Sequence, residues 1–248
     1  MFMTRMFLVL LPLVLTACSS PDRGSFGTFK RSLNNTSYGY VVMDDPTNQA
    51  PTELIEVFDV RPGDCGSNGG WSDCDKDRER SELSEAKKKN QRGKEYWYGW
   101  SIYFPEDYVN VYPTKVALGQ FHQHKSHPVW MFQNSSGGYH LDRQVRGYTE
   151  KYDELISEED LRGKWHKIEI HAKWQVDDSG FFKVWVNGEQ KVDYKGKTMS
   201  AHKVYFKYGV YRSYMSRYKL KHGTDSVPAQ KVYFSNVKRG SSREALAP

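Results

Sequence analysis

Long apolar runs, helical periodicity and cysteine are all scarce in this chain of 248 residues, and each shortage removes a class of protein. The one sustained apolar stretch, Met6 to Val14, is too short to span a bilayer. Three cysteines without a zinc-type spacing argue against a structural zinc module. No recognised nucleic-acid module accompanies the basic charge of +6, so a nucleic-acid partner is not expected. No internal repeat or long low-complexity segment appears, which sets aside repeat architectures.

What is present begins at the amino terminus. Arg5, the apolar run and then Leu15-Thr16-Ala17-Cys18 have the layout of a secretory signal peptide. Leu-Thr-Ala-Cys also resembles the bacterial lipobox, which implies cleavage before Cys18 and lipidation of that cysteine. Ser19 follows where an aspartate would argue for inner-membrane retention, so an exported lipoprotein of the outer membrane is expected, facing the periplasm or the surface. Residues 1–17 are then signal peptide, 18–27 a small, polar lipidated tether and 28–248 one domain. Without the leader, 231 residues of charge +5 remain, enough for one large all-β domain. A basic exported domain suits a polyanionic partner. The expected partner is an acidic polysaccharide, with membrane contact only through the lipid, and the chain is expected to be a monomer.

Cys65 and Cys74 flank a Gly-rich segment, and in an oxidising compartment they read as a disulfide closing that loop. Beyond it, aromatic and β-branched runs recur between turn signals. Tyr96–Phe104, Lys115–Gln123, Val129–Gln133, Trp165–Trp174, Phe181–Val186, Val204–Val210 and Lys231–Phe234 are the clearest strands. In Trp165–Trp174, Ile168, Ile170, Ala172 and Trp174 alternate with polar residues, the pattern of a half-buried antiparallel strand. Asp177-Asp178-Ser179-Gly180 and Asn187-Gly188 supply turns on either side of the next strand, so Trp165 to Lys191 is expected as a meander. One short surface helix is expected over Glu150–Leu161, and a charged turn over Ser81–Lys89. The whole reads as two packed antiparallel sheets of the jelly-roll kind.

Three segments invite chemistry: Arg78-Glu79-Arg80-Ser81-Glu82-Leu83, Gln120-Phe121-His122-Gln123 and Tyr205-Phe206-Lys207-Tyr208-Gly209-Val210-Tyr211. If each is extended, Arg80 and Glu82 share a face, as do Gln120 and His122, and as do Lys207, Gly209 and Tyr211. Neighbouring strands on a concave sheet would merge these sets into one polar platform. Taken singly, each has a plainer reading: His122 as a hydrogen-bonding strand residue, Arg80 with Glu82 as a surface ion pair, the tyrosines as sandwich packing.

Together, and in this order, the segments resemble the three signatures of polysaccharide lyase family 7, the alginate lyases: Arg-Ser/Thr-Glu-Leu/Val-Arg, Gln-Ile/Val-His and Tyr-Phe-Lys-Ala-Gly-x-Tyr-x-Gln. Residues 64–83, with Asp-Arg-Glu-Arg-Ser-Glu-Leu after the second cysteine, are closer to the related heparin lyase I and glucuronan lyase group. The resemblance implies a concanavalin A-like β-jelly-roll with an open concave groove. It implies that Arg80 and Gln120 bind the substrate carboxylate, that His122 neutralises it or takes the proton, and that Tyr211 acts as acid or base. Glu82 would orient Arg80 and Lys207 would support Tyr211. Gln123, beside the second motif, and Arg212, beside the third, are expected to touch substrate as well. Ser84 stands where family 7 has its second arginine, and Ser213 where its third motif ends in glutamine.

The chemistry needs these residue types. β-Elimination from a uronate removes the C5 proton beside a carboxylate, and the carbanion forms only if that charge is offset by placed donors. Arginine offers a fork and glutamine an amide donor, while a base must reach C5 and an acid the leaving oxygen. Tyr211 serves both roles if proton and leaving group share a face; otherwise His122 is base and Tyr211 acid. No cofactor or metal is required. Asp73, Asp75 and Asp77 alternate as calcium ligands sometimes do, but such charged spacing is common in loops. Further cations occur in Lys87–Lys94, and Tyr211–Lys219 interleaves rings with cations, a composition suited to sugar stacking. Two alternatives stand beside an endolytic lyase of alginate, glucuronan or a heparin-like polymer. One is a glycoside hydrolase on the same fold, which needs two carboxylates at the bond; the Glu-x-Asp-x-x-Glu strand of family 16 is missing. The other is a non-catalytic lipoprotein that binds acidic glycans.

Overall fold

A computed structural model describes residues 21, 23–145 and 151–248. The leader and Cys18 lie outside the described residues. Two seven-stranded antiparallel sheets face each other. In chain order the strands are β1 (Phe29–Arg31), β2 (Tyr40–Asp44), β3 (Leu54–Val60), β4 (Ser67–Asn68), β5 (Trp71–Ser72), β6 (Arg78–Glu85), β7 (Glu95–Tyr103), β8 (Lys115–Gln123), β9 (Pro128–Asn134), β10 (Tyr139–Arg143), β11 (Lys151–Ile156), β12 (Trp165–Lys173), β13 (Phe181–Val186), β14 (Glu189–Lys195), β15 (Val204–Ser213) and β16 (Gln230–Gly240). One sheet runs β1-β6-β15-β8-β9-β10-β11 and the other β14-β13-β12-β7-β16-β3-β2. This is the expected jelly-roll sandwich, and each expected strand is present, with Lys231–Phe234 extended to Gly240 in β16.

Alternation decides what lies between the sheets. Phe121 of β8 and Phe206 of β15 point inward and meet at 5.0 Å, and Phe206 also meets Trp100 of β7 at 5.1 Å. Trp130 of β9 stacks on Phe182 of β13 at 4.0 Å. Large aromatic rings supply most of the buried area here, so every second residue of β8 and β15 is committed to the core and the remainder to the opposite face. The meander over β12, β13 and β14 forms as expected, and Asn187 and Gly188 both take positive φ in its tight turn.

Two irregularities adjust that alternation. The β15–β8 register shifts between Tyr208 and Tyr211, and the β8–β9 register between Ala117 and Gly119. Such bulges re-aim side chains. In β8 the shift lets Lys115 and Gln120, of opposite parity, both line the cleft on the outer face. Gly209 in β15 takes φ +120°, and a Cβ there would stand 2.5 Å from the Ser81 carbonyl oxygen and 2.6 Å from the Phe58 ring. Only glycine fits that position.

Several expectations are corrected. Lys151–Ile156, expected in a helix, is the edge strand β11 paired to β10; ladder hydrogen bonds to an open sheet edge outweigh a weak helical pattern. Ser81–Glu85, expected in a turn, runs through the middle of β6. Beyond β15, within the run expected to stack on sugars, an α-helix, α1, spans Met215–His222. Its exposed N-terminal donors meet Asp77, which accepts from the backbone N–H and the hydroxyl of Ser216. Gly223 closes it in the left-handed region after Lys219, Lys221 and His222, the usual helix-stop chemistry. The domain also starts before residue 28. Phe26 is buried in the core, and Arg23 reaches the buried carboxylate of Glu56 together with the hydroxyls of Tyr40 and Tyr208.

Candidate active site

Strands β6, β15 and β8 are immediate neighbours, so the three motifs meet on the outer face of one sheet. Register places Tyr211 between Arg80 and Ala117, Lys207 between Ser84 and Gln120, and Tyr205 beside His122. A cleft of ≈ 590 Å³ opens above them, lined by Arg80, Gln120, His122, Lys207 and Tyr211.

Glu82 lies beneath that floor, fully enclosed. It accepts from Lys207 Nζ at 2.5 Å, Gln120 Nε2 at 2.5 Å and Arg80 Nη1 at 3.2 Å. Burial opposes its ionisation, but Lys207 and Arg80 outweigh burial and hold the carboxyl below its ordinary value. The same burial lowers the Lys207 ammonium from its usual value, with Glu82 acting against the shift. The disulfide Cys65–Cys74 forms as expected, with 5.1 Å between Cα atoms. It staples the loop that delivers Asp73 to the site. Asp73 accepts from Arg80 Nε and Nη2, both at 2.6 Å, and from the Trp71 indole at 2.8 Å.

This arrangement corrects the role expected for Arg80. Its Nε and Nη2 edge is taken by Asp73, and Nη1 reaches Glu82 at 3.2 Å and the Ser32 hydroxyl at 3.4 Å, so most of its donors are committed before substrate arrives. It contributes its charge and a flat guanidinium 4.1 Å from the centre of the Tyr211 ring. Gln120 commits one amide hydrogen to Glu82 and keeps one for the cleft. Lys207 supports the floor chiefly through Glu82, with its Nζ 5.9 Å from the Tyr211 ring centre.

His122 Nδ1 lies 2.7 Å from the Gln123 carbonyl oxygen. A carbonyl only accepts, so Nδ1 carries the hydrogen and Nε2 keeps its lone pair. The Tyr205 hydroxyl sits 3.2 Å from the same Nδ1. Burial first, and Lys207 next, lower the imidazole to about 4, so His122 is neutral near pH 7. Burial also raises the Tyr205 phenol to about 12. It raises the Tyr211 phenol as well, against the opposing charges of Arg80 and Arg78. The resting site therefore presents a neutral imidazole acceptor and a protonated phenol.

Two expected substrate contacts lie elsewhere. Gln123 shares the inward parity of Phe121; its Oε1 accepts from the Ser200 and Ala201 N–H groups at 2.7 and 2.6 Å, pinning a loop to the sheet. Arg212 has 0% exposure and pairs with Glu79 and the Pro228 carbonyl. Asp73 and Asp77 do not converge on a common point, since one meets Arg80 and the other caps α1, and no cluster of potential metal ligands occurs among the described residues. The sequence reading gave Lys115 no role, gave Arg78 and Tyr205 none beyond their place in the motifs, and read Asp73 only as a possible calcium ligand. Tyr205 was signalled by its parity with Lys207, and Asp73 by its place beside Cys74.

A family model described as polysaccharide lyase matches residues 25–238, and the chain belongs to that family: it is a polysaccharide lyase. Among solved structures it is similar to an endo-β-1,4-glucuronan lyase from the fungus Trichoderma reesei, with TM-score 0.63 and 18% identity over 90% of this chain and 94% of that one. An alginate lyase of polysaccharide lyase family 7 gives 0.54 and 16% over 84% and 82%. The GH131 β-glucanase catalytic domain from Podospora anserina gives 0.57 and 15% over 87% and 86%. At these identities the likeness shows the sandwich fold alone. No curated protein matches in sequence.

Removing the Glu82 charge leaves the buried Lys207 ammonium without its carboxylate, while Arg80 keeps Asp73. Glu82→Gln is expected to lower unfolding free energy at pH 7 by about 3 kcal/mol, read by urea denaturation. Because the folded carboxyl sits below its ordinary 4.5, the wild-type advantage is fully present above that value. It fades as pH falls through the lower folded value. A pH-independent difference would show that charge is not its source.

Proposed function

We propose that this lyase cleaves an acidic, uronate-containing polysaccharide within the chain by β-elimination, leaving unsaturated uronate ends. One observation carries the reading: His122 spends Nδ1 on the Gln123 carbonyl, which leaves Nε2 as its acceptor, and it lines the same cleft as the Tyr211 phenol. In the proposed step His122 Nε2 takes the C5 proton, the C4–C5 double bond forms, and the C4–O bond breaks. Tyr211 gives its phenolic proton to the leaving oxygen, and solvent returns both groups to their resting states. Lys207, Arg80 and the remaining Gln120 amide hydrogen offset the charge that develops on the carboxylate. Alginate, glucuronan and heparin-like polymers all carry the required C5 proton and carboxylate. The open cleft suits the interior of a chain, and a single domain suffices, so the protein is read as a monomer. Charge neutralisation comes from side chains, so the reading invokes no metal.

A hydrolase reading is disfavoured by the cleft itself. A pair of carboxylates must flank the scissile bond, whereas no aspartate or glutamate lines this cleft among the described residues. A purely binding role needs the cations and rings but not Tyr211 as an acid. The wild-type protein is expected to raise ultraviolet absorbance from conjugated uronate on at least one of alginate, glucuronan and heparin, unaffected by a chelator. Tyr211→Phe is expected to bind that polymer with turnover reduced ~100-fold or more. Binding without cleavage of any of them by the wild type would replace the lyase reading with the binding one.

The base must be neutral to work, so activity is lost as pH falls through its value. With His122 at about 4, the acid limb of kcat/KM is expected near that value and not near the ordinary histidine value of 6.5. A limb centred near 6.5 would remove His122, as positioned here, from the base role.

Location is proposed on the leader alone: export, cleavage before Cys18 and outer-membrane anchoring through lipid on that residue. Labelled fatty acid is expected to enter the wild-type protein and not Cys18→Ser; equal labelling of both would end the lipoprotein reading.

A further inference from the structure

We infer that Arg78 and Lys115, on either side of Ser213, form a second anion subsite that binds the carboxylate of a uronate neighbouring the one cleaved. The inference rests on the proposed polyuronate reading of the cleft. Register sets Ser213 opposite Arg78 on β6 and opposite Lys115 on β8, so the three residues form a row across adjacent strands. Neighbouring strands lie about 4.8 Å apart, which puts the two cations roughly 10 Å apart at their backbones with only a hydroxymethyl between them. This row is two residues along β15 from Tyr211, about 6.6 Å at the usual strand rise and comparable with one pyranose ring. All three residues line the cleft.

Arg78 is the cation with charge to spare. Among the described residues it has no ion pair, its Nη1 reaches only the Asp77 carbonyl oxygen at 3.5 Å, and its Nε is buried without a partner. With no carboxylate on it and its side chain lining the cleft, its charge is left for an anion supplied by ligand. The guanidinium is also fixed in place. Tyr214, in the left-handed region at φ 61°, presents its ring between Arg78 at 4.4 Å and Arg217 at 4.1 Å. Lys115 is partly committed: its Nζ is 3.4 Å from Asp142 Oδ2, which also accepts from Gln133 at 2.5 Å and Gln144 at 2.6 Å. It keeps hydrogens for a second anion but less net charge, so Arg78 is the stronger half. The serine matters because a longer side chain at 213 would fill the gap between the two cations.

The test separates the subsite from the reaction. Michaelis constants are compared for wild type, Arg78→Ala, Lys115→Ala and Lys164→Ala, the last removing one surface charge remote from the cleft. Binding of mannuronate and glucuronate oligomers is measured in parallel on Tyr211→Phe with and without Arg78→Ala, at low and high salt. Arg78→Ala is expected to lose ~10-fold in kcat/KM, carried by KM, and Lys115→Ala less. Lys164→Ala should match wild type, and the Arg78-dependent part of binding should shrink with salt. Arg78→Lys, which keeps the charge without the fork, should recover part of the loss, separating subsite from misfolding. If wild type cleaves but Arg78→Ala and Lys115→Ala bind and turn over like wild type, the subsite is wrong and the lyase reading stands. If wild type cleaves no polyuronate while Arg78→Ala still weakens oligomer binding, the subsite stands and the reaction falls.

Discussion

The carboxylate of Glu82 is the contact on which the site depends, because its three partners come from three strands. Glu82 belongs to β6, Lys207 to β15 and Gln120 to β8. Removing an ionised carboxylate and an ammonium from water costs several kcal/mol each, and their attraction offsets this only with close geometry and added donors. Contacts of 2.5 Å to both partners meet that condition. A shift of one residue in either pairing would turn Lys207 or Gln120 to the core face. It would cost Glu82 one of its two closest donors while it stays buried. The hydrophobic core specifies the same register independently, since Phe121 and Phe206 must face inward. Core and site therefore enforce one arrangement.

Asp73 extends this network beyond the sheet. It comes from a loop with little core of its own, so its position depends on the Cys65–Cys74 bridge and on the Trp71 indole. Its bidentate hold on Arg80 sets the guanidinium flat against Tyr211. Sequence reading assigned the orienting role to Glu82 and the clamp to Arg80. Glu82 is one of two orienting acids, and the fork faces Asp73. Composition alone does not show whether an arginine's donors are occupied, because the second acid is seven residues away and arrives through a loop.

Parity explains what was legible in the sequence and what was not. Strand existence, the meander and the meeting of Arg80, Gln120, His122, Lys207 and Tyr211 all follow from period-two alternation, which survives wherever the ladder is regular. Gln123 and Arg212 were placed with the substrate because they adjoin motif residues, yet adjacency in a strand means the opposite face. Lys115 was hidden for the converse reason: the bulge before Gly119 brings residues of opposite parity to one face. The helix α1 was obscured by its own composition, since rings and cations at Tyr214–Lys219 suit an exposed strand equally well. What settles it is the cap from Asp77, more than a hundred residues away in sequence.

The charges of the cleft are layered, and the layering bears on the proposed chemistry. Asp73, Glu82 and Asp142 are buried beneath it, while Arg78, Lys115, Arg80 and Lys207 line its surface. An incoming polyanion therefore meets cations although the pairs below nearly cancel them. His122 responds to that same layering. Burial, and after it Lys207, keeps it neutral at rest, so its Nε2 stays available. A uronate carboxylate arriving beside it supplies the opposite sign and favours the imidazolium. In the proposed reaction His122 would thus gain proton affinity with substrate in place and lose it when the product leaves. For Tyr211 the same proposal predicts the opposite: a substrate carboxylate would disfavour its phenolate and keep the phenol protonated until the leaving oxygen takes the proton.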